Sequence, residues 1–332
     1  QFVVLCRQLN LFVDASVAID GSKFKAVNTR DKNFTKGKVK RRMDQVEESV
    51  GRYLHQLDSA DRQEPSHART MTTERLNSKI TTLKEEMHRL QKLEDLMLAT
   101  PGQQISLTDP DARSMATSGR GSGMVAYNVQ SAVDTKHHLI VAHEVTNSGS
   151  DRSQLSNMAK QAKAVLKTNK LDVVADRGYF KSEEILACDK AGITVTLPKP
   201  QTSNNKLRGR FVKQDFRYLA EDDVYLCPAN ERLVYYYSNV ERGLTLRRYW
   251  TNACQFCVIK EKCTTAKQRR ITRWEHEHIL EAVQQRLDEN PQKMRLRRET
   301  VEHPFGTIKS WMGYTHFQMK TLKRVGTEMA LH

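Results

Sequence analysis

The chain has 332 residues, enough for one large or two medium domains. Its 54 Lys and Arg outnumber 39 Asp and Glu, a formal net charge of +15, which points to a polyanionic partner; a merely basic soluble protein is the alternative that charge alone does not exclude. No apolar run approaches the length of a membrane span and no signal peptide is visible, which argues against a membrane role and for a cytoplasmic protein. Six cysteines are too few for a disulfide framework, and four of them cluster, which suggests metal in a reducing compartment. The chain opens on Gln1 rather than Met and stops at His332 inside a helical pattern, as a fragment would.

Residues 1–14 alternate only weakly. Val17–Ala26 reads as a strand, a turn at Asp20-Gly21 and the start of a second strand, so Asp20 is either a hairpin residue or a strand-end acid. Lys36-Gly-Lys-Val-Lys40-Arg41-Arg42 is a basic run, either a solvated helix entry or a phosphate-backbone contact. A helix follows with apolar positions Met43, Val46, Val50, Leu54 and Leu57. After a polar link, a second helix carries Leu76, Ile80, Leu83, Met87, Leu90, Leu93 and Met97. These steps of three and four make a continuous seam, read as an antiparallel hairpin in preference to a dimer zipper. Pro101-Gly102 ends it.

Asp109-Pro-Asp111 is turn-like, with capping as its default role and a place near an active site as the alternative. Ser118-Gly-Arg-Gly-Ser-Gly123 leads into a strand rather than a helix, so it fails as a phosphate-binding P-loop. Met124–Val133 and His138–Val145 alternate as two strands joined at Asp134–His137, which makes Asp134 a hairpin-tip residue. Asp151 caps the helix carrying Leu155, Met158, Ala162 and Val165. Leu171-Asp-Val-Val-Ala-Asp176 is a buried strand ending on an acid. A Gly turn, a helix over Ser182–Lys190 with Cys188 in its core face, and a strand over Ile193–Leu197 complete an α/β pattern.

Residues 198–275 change character to polar, basic sequence with short aromatic strands. Trp250 and Tyr235–Tyr237 are core residues or stacking platforms for unpaired bases. Cys254 and Cys257 form a CxxC pair that Cys227 and Cys263 can complete as a structural Zn²⁺ site; an iron–sulfur cluster and free thiols are the alternatives, with His276 and His278 as substitute ligands. Beyond Pro291 a helix carries Arg298 and Glu302 four residues apart, on one face; a surface ion pair is the plain reading. His303-Pro304 should perturb that helix.

Two strand-end aspartates and a late glutamate among basic residues can make an oxygen-only site for a hard cation. The stretches around Asp20, Ser106–Met115, Tyr127–Asp134, Asp176 and Val301–Lys309 resemble the DDE transposases of bacterial insertion sequences. The family's late motif, Tyr-x-x-Arg-x-x-x-Glu-x-x-x-x-x-x-Lys, is met in register by Arg298, Glu302 and Lys309; Arg295 stands at the tyrosine position.

The resemblance implies an α/β, RNase H-like mixed sheet flanked by helices, with an inserted helical hairpin and a Cys-containing β-rich insertion. The expected parts are first strands over 1–35, the hairpin over 36–104, the catalytic core over 105–197, the Cys-cluster insertion over 198–275 and a C-terminal helical part over 276–332. It implies Asp20, Asp176 and Glu302 as catalytic ligands of two Mg²⁺ or Mn²⁺ ions, Arg177, Arg298 and Lys309 at the DNA phosphates, and cleavage and joining of double-stranded DNA in the bacterial nucleoid. Cutting paired ends favours a homodimer on the DNA. The competing readings are a catalytically silent DNA-binding fragment and a metallonuclease that cuts without joining.

Overall fold

The computed structural model describes residues 2–12, 15–28, 32–62, 67–100, 102–116, 123–201 and 204–332. The Gly-rich stretch at 118–122, most of the polar link before the second helix and Pro101 lie outside them.

In chain order the elements are α1 (Phe2–Gln8), β1 (Ser16–Lys25), β2 (Asn33–Thr35), α2 (Lys36–Asp61), α3 (His67–Leu98), β3 (Gln104–Ser106), β4 (Arg113–Met115), β5 (Met124–Asp134), β6 (Ile140–Thr146), α4 (Leu155–Leu166), β7 (Leu171–Ala175), α5 (Ser182–Lys190) and β8 (Ile193–Thr196). There follow β9 (Arg217–Leu219), β10 (Val224–Leu226), β11 (Arg232–Glu241), β12 (Leu244–Trp250), α6 (Lys260–Cys263), β13 (Ile271–Trp274), α7 (Glu277–Glu289), α8 (Gln292–Gly306) and α9 (Leu322–Met329). Among the described residues one mixed sheet runs β4-β5-β1-β7-β8, with β6 on β5, and a second runs β13-β12-β11-β10-β9. This is the mixed sheet with flanking helices expected of an RNase H-like fold.

The chain divides into two compact units, one of residues 1–20, 131–142 and 150–304, the other of 21–130, 143–149 and 305–332. The core of the first is built on β1, β7 and β8. Val17, Ile19, Val173, Ala175 and Val195 meet Leu155, Met158, Ile185 and Val283 from the helices. β-Branched residues on strands buried on both faces are the usual filling of a parallel sheet. The β9–β13 sheet has its own small core of Phe216, Tyr225, Leu233, Tyr249, Cys263 and Ile271.

In the second unit, one cluster joins Phe24, Tyr127, Val129, Phe305, Ile308, Phe317 and Val325. Another lies between α2 and α3, where Val39, Val46, Leu90, Leu93 and Met97 are buried and Met43, Val50, Leu83 and Met87 partly so. The antiparallel β2–β3 pair, with Phe34 opposite Ile105, joins the helices at their base. Leu54 departs from the seam read from the sequence and is exposed; Tyr53 is half-buried beside it, with the Lys79 ammonium 5.2 Å from its ring centre.

Residues 2–8, where the sequence shows no clear period, are helical. One local expectation is corrected. β1 passes straight through Asp20-Gly21 with no hairpin, because Phe24 beyond the glycine is fully buried and pulls the extended chain onward. Pro304 perturbs α8, as expected, without ending it. The helix continues to Gly306 and widens into a π-helical stretch over Thr307–Trp311, where the Met312 amide bonds back to the Thr307 carbonyl at 3.0 Å. A proline removes one helical donor, and a widened turn takes up the mismatch.

Candidate active site

The first unit brings two of the expected acids together through strand register. Ser16, Val17, Ala18 and Ile19 pair in parallel with Asp172, Val173, Val174 and Ala175. Asp20 and Asp176 are each the next residue, so their backbones stand at equivalent positions, where β7 ends and β1 runs on beyond its partner. Parallel neighbours lie about 4.8 Å apart. The three residues before each acid, Val17–Ile19 and Val173–Ala175, are buried, and both acids sit where burial gives way to partial exposure.

The turn after β7 is built on Asp176 itself. Its Oδ1 accepts the Gly178 amide at 2.7 Å and caps the 3-10 turn Arg177–Tyr179. A Cβ on residue 178 would stand 2.9 Å from that oxygen, which is why the position takes glycine. The next side chain, Tyr179, is buried beneath the site. Its hydroxyl is pushed well above the usual tyrosine range, first by burial and then by the negative charges of Asp151, Asp20 and Asp176, with Arg297 opposing. Asp151 therefore belongs to the acidic neighbourhood. Its sequence context indicated only a cap, and the side chain that caps that turn is Ser150, which accepts the Arg152 amide at 3.4 Å.

A cation answers the acids. Arg297 Nη2 from α8 lies 2.7 Å from Asp20 Oδ1, with both side chains largely buried. Its Nε is buried without a hydrogen-bond partner among the described residues. The sequence motif selects the neighbour, Arg298, which is exposed, as is Glu302 one turn later. Thr300, Val301 and Pro304 form the buried face of this helix. The five-residue step from Arg297 to Glu302 is about 140° at 100° per residue, so the two lie on different faces. Among the described residues no three His, Cys, Asp or Glu side chains form a set that could hold a metal ion. Asp20 and Asp176 are thus brought together, and Glu302 stands outside a closed three-acid set. His303, beside it, meets His138 edge to face at 5.7 Å.

The rival acids have structural employment. Asp134 is buried, and its Oδ2 accepts the Lys136 and His137 amides at 3.1 and 2.6 Å, closing the β5–β6 turn. In the second unit, fully buried Asp109 accepts the Tyr127 hydroxyl at 2.8 Å and the Thr321 amide at 3.1 Å, while Asp111 accepts the Leu322 amide at 2.8 Å. These two acids cap α9 from more than 200 residues away, as the separations 212 and 211 show.

Of the expected phosphate contacts, Arg177, Lys40 and Arg41 are exposed, and Arg42 lies 3.7 Å from Glu86 across the helix pair. Lys309 is turned inward. Its ammonium donates to Ser22 Oγ at 2.6 Å and the Lys23 carbonyl at 2.9 Å and sits 4.4 Å from the Phe24 ring centre. Burial lowers its pKa. Its present role is to brace the strand just beyond Asp20.

Cys227, Cys254, Cys257 and Cys263 line one cavity at the end of the second sheet. None is in a disulfide. Burial raises the Cys263 thiol; Arg269 opposes the rise, and the other three cysteines add to it. His276 does not line this cavity; it packs edge-on against Trp274 at 5.1 Å. The aromatic ribbon divides in two. Tyr225 and Tyr249 are core, whereas exposed Tyr236 stacks on Trp250 at 3.6 Å.

Comparison with known proteins bears on this arrangement. No curated protein and no solved structure matches the chain. No helix among the described residues is long and apolar enough to cross a membrane. Residues 226–332 match the family model described as a transposase DDE domain, a segment that holds Arg297, Glu302 and Lys309. That match, over about a third of the chain, supports a DDE transposase.

Proposed function

We propose that this chain cleaves and joins DNA strands at the ends of an insertion element, with Asp20, Asp176 and Glu302 holding two Mg²⁺ or Mn²⁺ ions. The register that aligns Asp20 with Asp176 carries the reading. Two carboxylates at matching positions on adjacent strands offer all-oxygen donors, the kind hard divalent cations take. Such ions, when bound, supply Lewis-acid activation of the attacking oxygen and charge relief at the leaving 3′-oxygen. Glu302 is the third ligand by its register with the family's late motif.

The remaining tasks fall to the chain's own cations. Arg177, beside Asp176, and Arg298, one turn before Glu302, are exposed and neutralise the phosphate oxygens flanking the cut. Lys40, Arg41 and Arg42 add contacts to the sugar–phosphate backbone that do not depend on sequence. Lys309 completes the motif by holding Ser22 and Lys23, and with them the strand that ends the Asp20 run. The assembly on paired DNA ends is a homodimer, and the compartment is the bacterial nucleoid.

The test is end-labelled DNA incubated with Mg²⁺ and either the wild-type chain or Asp176→Asn. Cleavage by the wild type and its loss in a variant that still binds DNA salt-sensitively support the reading. Retained cleavage by Asp176→Asn removes Asp176 from the mechanism. A pre-cleaved end that is not joined to a target would leave a nuclease.

A further inference from the structure

The second sheet of the first unit ends in three turns, each carrying cysteine. Cys227 opens the β10–β11 turn, where its amide donates to the Glu231 carbonyl at 3.0 Å and its carbonyl accepts the Asn230 amide at 2.8 Å. Asn230 takes the left-handed backbone this turn requires, with φ 59°. Cys254 and Cys257 flank the end of the 3-10 turn Asn252–Gln255, which the Thr251 side chain caps through the Ala253 amide at 3.3 Å. Cys263 closes α6 and is buried. Four free thiols thus line one void; as placed they do not by themselves close into a set that could hold a metal ion, and a bound ion would draw them together.

The size of that void decides what it can take. It is about 20 Å³. A water needs roughly 10–15 Å³ by the same measure, so the void admits a single small body. The void's cations suit a thiolate set. Arg269 lines it, donating to the Cys263 and Phe211 carbonyls at 3.4 Å each with its guanidinium over the Phe216 ring, and Lys260 lines it too. Glu231, the one acid on the lining, is exposed.

We propose that Cys227, Cys254, Cys257 and Cys263 bind one Zn²⁺ as a tetrathiolate that locks these turns onto the β9–β13 sheet. Each thiol gives its proton to solvent as its sulfur bonds to zinc. The complex carries two net negative charges, which Arg269 and Lys260 offset. The core beneath is small, so the metal supplies cross-linking that six buried side chains do not. None of Asp20, Asp176 and Glu302 lines this void, and Asp176→Asn leaves its zinc content unchanged.

The experiment is elemental analysis of the purified full chain, followed by titration of its thiols with a mercurial while zinc release is read with a chelating dye. About one zinc per chain, released as four thiols become reactive, is the expected result. The Cys254→Ser/Cys257→Ser variant loses the metal, whereas Cys6→Ala/Cys188→Ala keeps it. Zinc-free protein with all four thiols freely reactive overturns the proposal, as does iron with visible absorption. If the serine variant does not fold, the wild-type metal content and thiol count decide alone. Cobalt substitution gives a second reading: an intense thiolate-to-cobalt charge-transfer band is expected, and its absence in cobalt-loaded chain counts against four sulfur ligands.

Discussion

Arg297 Nη2 stands 2.7 Å from Asp20 Oδ1, with the side chains 15% and 25% exposed. An acid proposed to hold a divalent cation is therefore already paired with a resident monovalent one. Two cations near one carboxylate repel, and in a half-buried setting that repulsion is weakly screened. Arg297→Met should tighten Mn²⁺ binding by about tenfold, or roughly 1.4 kcal/mol. Calorimetric titration of the folded variant measures this. Unchanged or weaker Mn²⁺ binding would show that Arg297 orients Asp20 rather than competing for it.

Asp176 has two separable roles, and a pair of variants resolves them. Its Oδ1 caps the turn through Gly178 while the carboxylate charge serves the proposed metal site. Asp176→Asn keeps a carbonyl oxygen for the cap, so its thermal stability should match wild type. Asp176→Ala loses the cap and should be less stable by about 1 kcal/mol. Equal destabilisation of both variants in denaturant melts would mean that charge, not the cap, holds the turn.

Much of this arrangement was legible in the sequence, for physical reasons. Val173-Val-Ala175 and Val17-Ala-Ile19 are apolar runs suited to buried strands, and an acid after each marks where burial ends. The seam positions from Val46 to Met97 follow helical spacing because burial between two helices imposes it. What remained illegible depends on tertiary context. Spacing shows that Arg298 and Glu302 share a face, but not which face of α8 turns inward, so Arg297 was overlooked. An Asp-Gly pair reads equally well as a hairpin or as a strand, and only burial of Phe24 chooses. The capping of α9 by Asp109 and Asp111 spans too much chain to leave a local pattern.

That long-range cap makes Asp109 a stability hub. Removing its carboxylate leaves the buried Tyr127 hydroxyl and the Thr321 amide without their acceptor. Hydrogen bonds to a charged group contribute about 1.5–3 kcal/mol each, so Asp109→Ala should lower stability by roughly 3 kcal/mol or more. Tyr127→Phe should cost about half as much. The double variant should fall short of the sum, because the two share one contact. Strict additivity in a double-mutant cycle would mean that the contact contributes nothing.

Glu328 gives the fold a pH dependence whose sign can be worked out. Burial works to raise its pKa, but the Gln318 and Met319 amides stabilise the charged form and hold the pKa below the usual glutamate range. The two amides donate to Oε1 and Oε2 at 2.8 and 2.9 Å. A carboxylate with a depressed folded pKa contributes stability that is fully present above its unfolded pKa, and this is lost as pH falls through the folded value. Glu328→Gln removes that contribution at neutral pH, by about 1.5–3 kcal/mol. Melting curves of the two proteins should therefore converge on acidification through and below the ordinary glutamate range. Curves that stay equally far apart from neutral to acid pH would show that the amides recognise shape at this position and not charge.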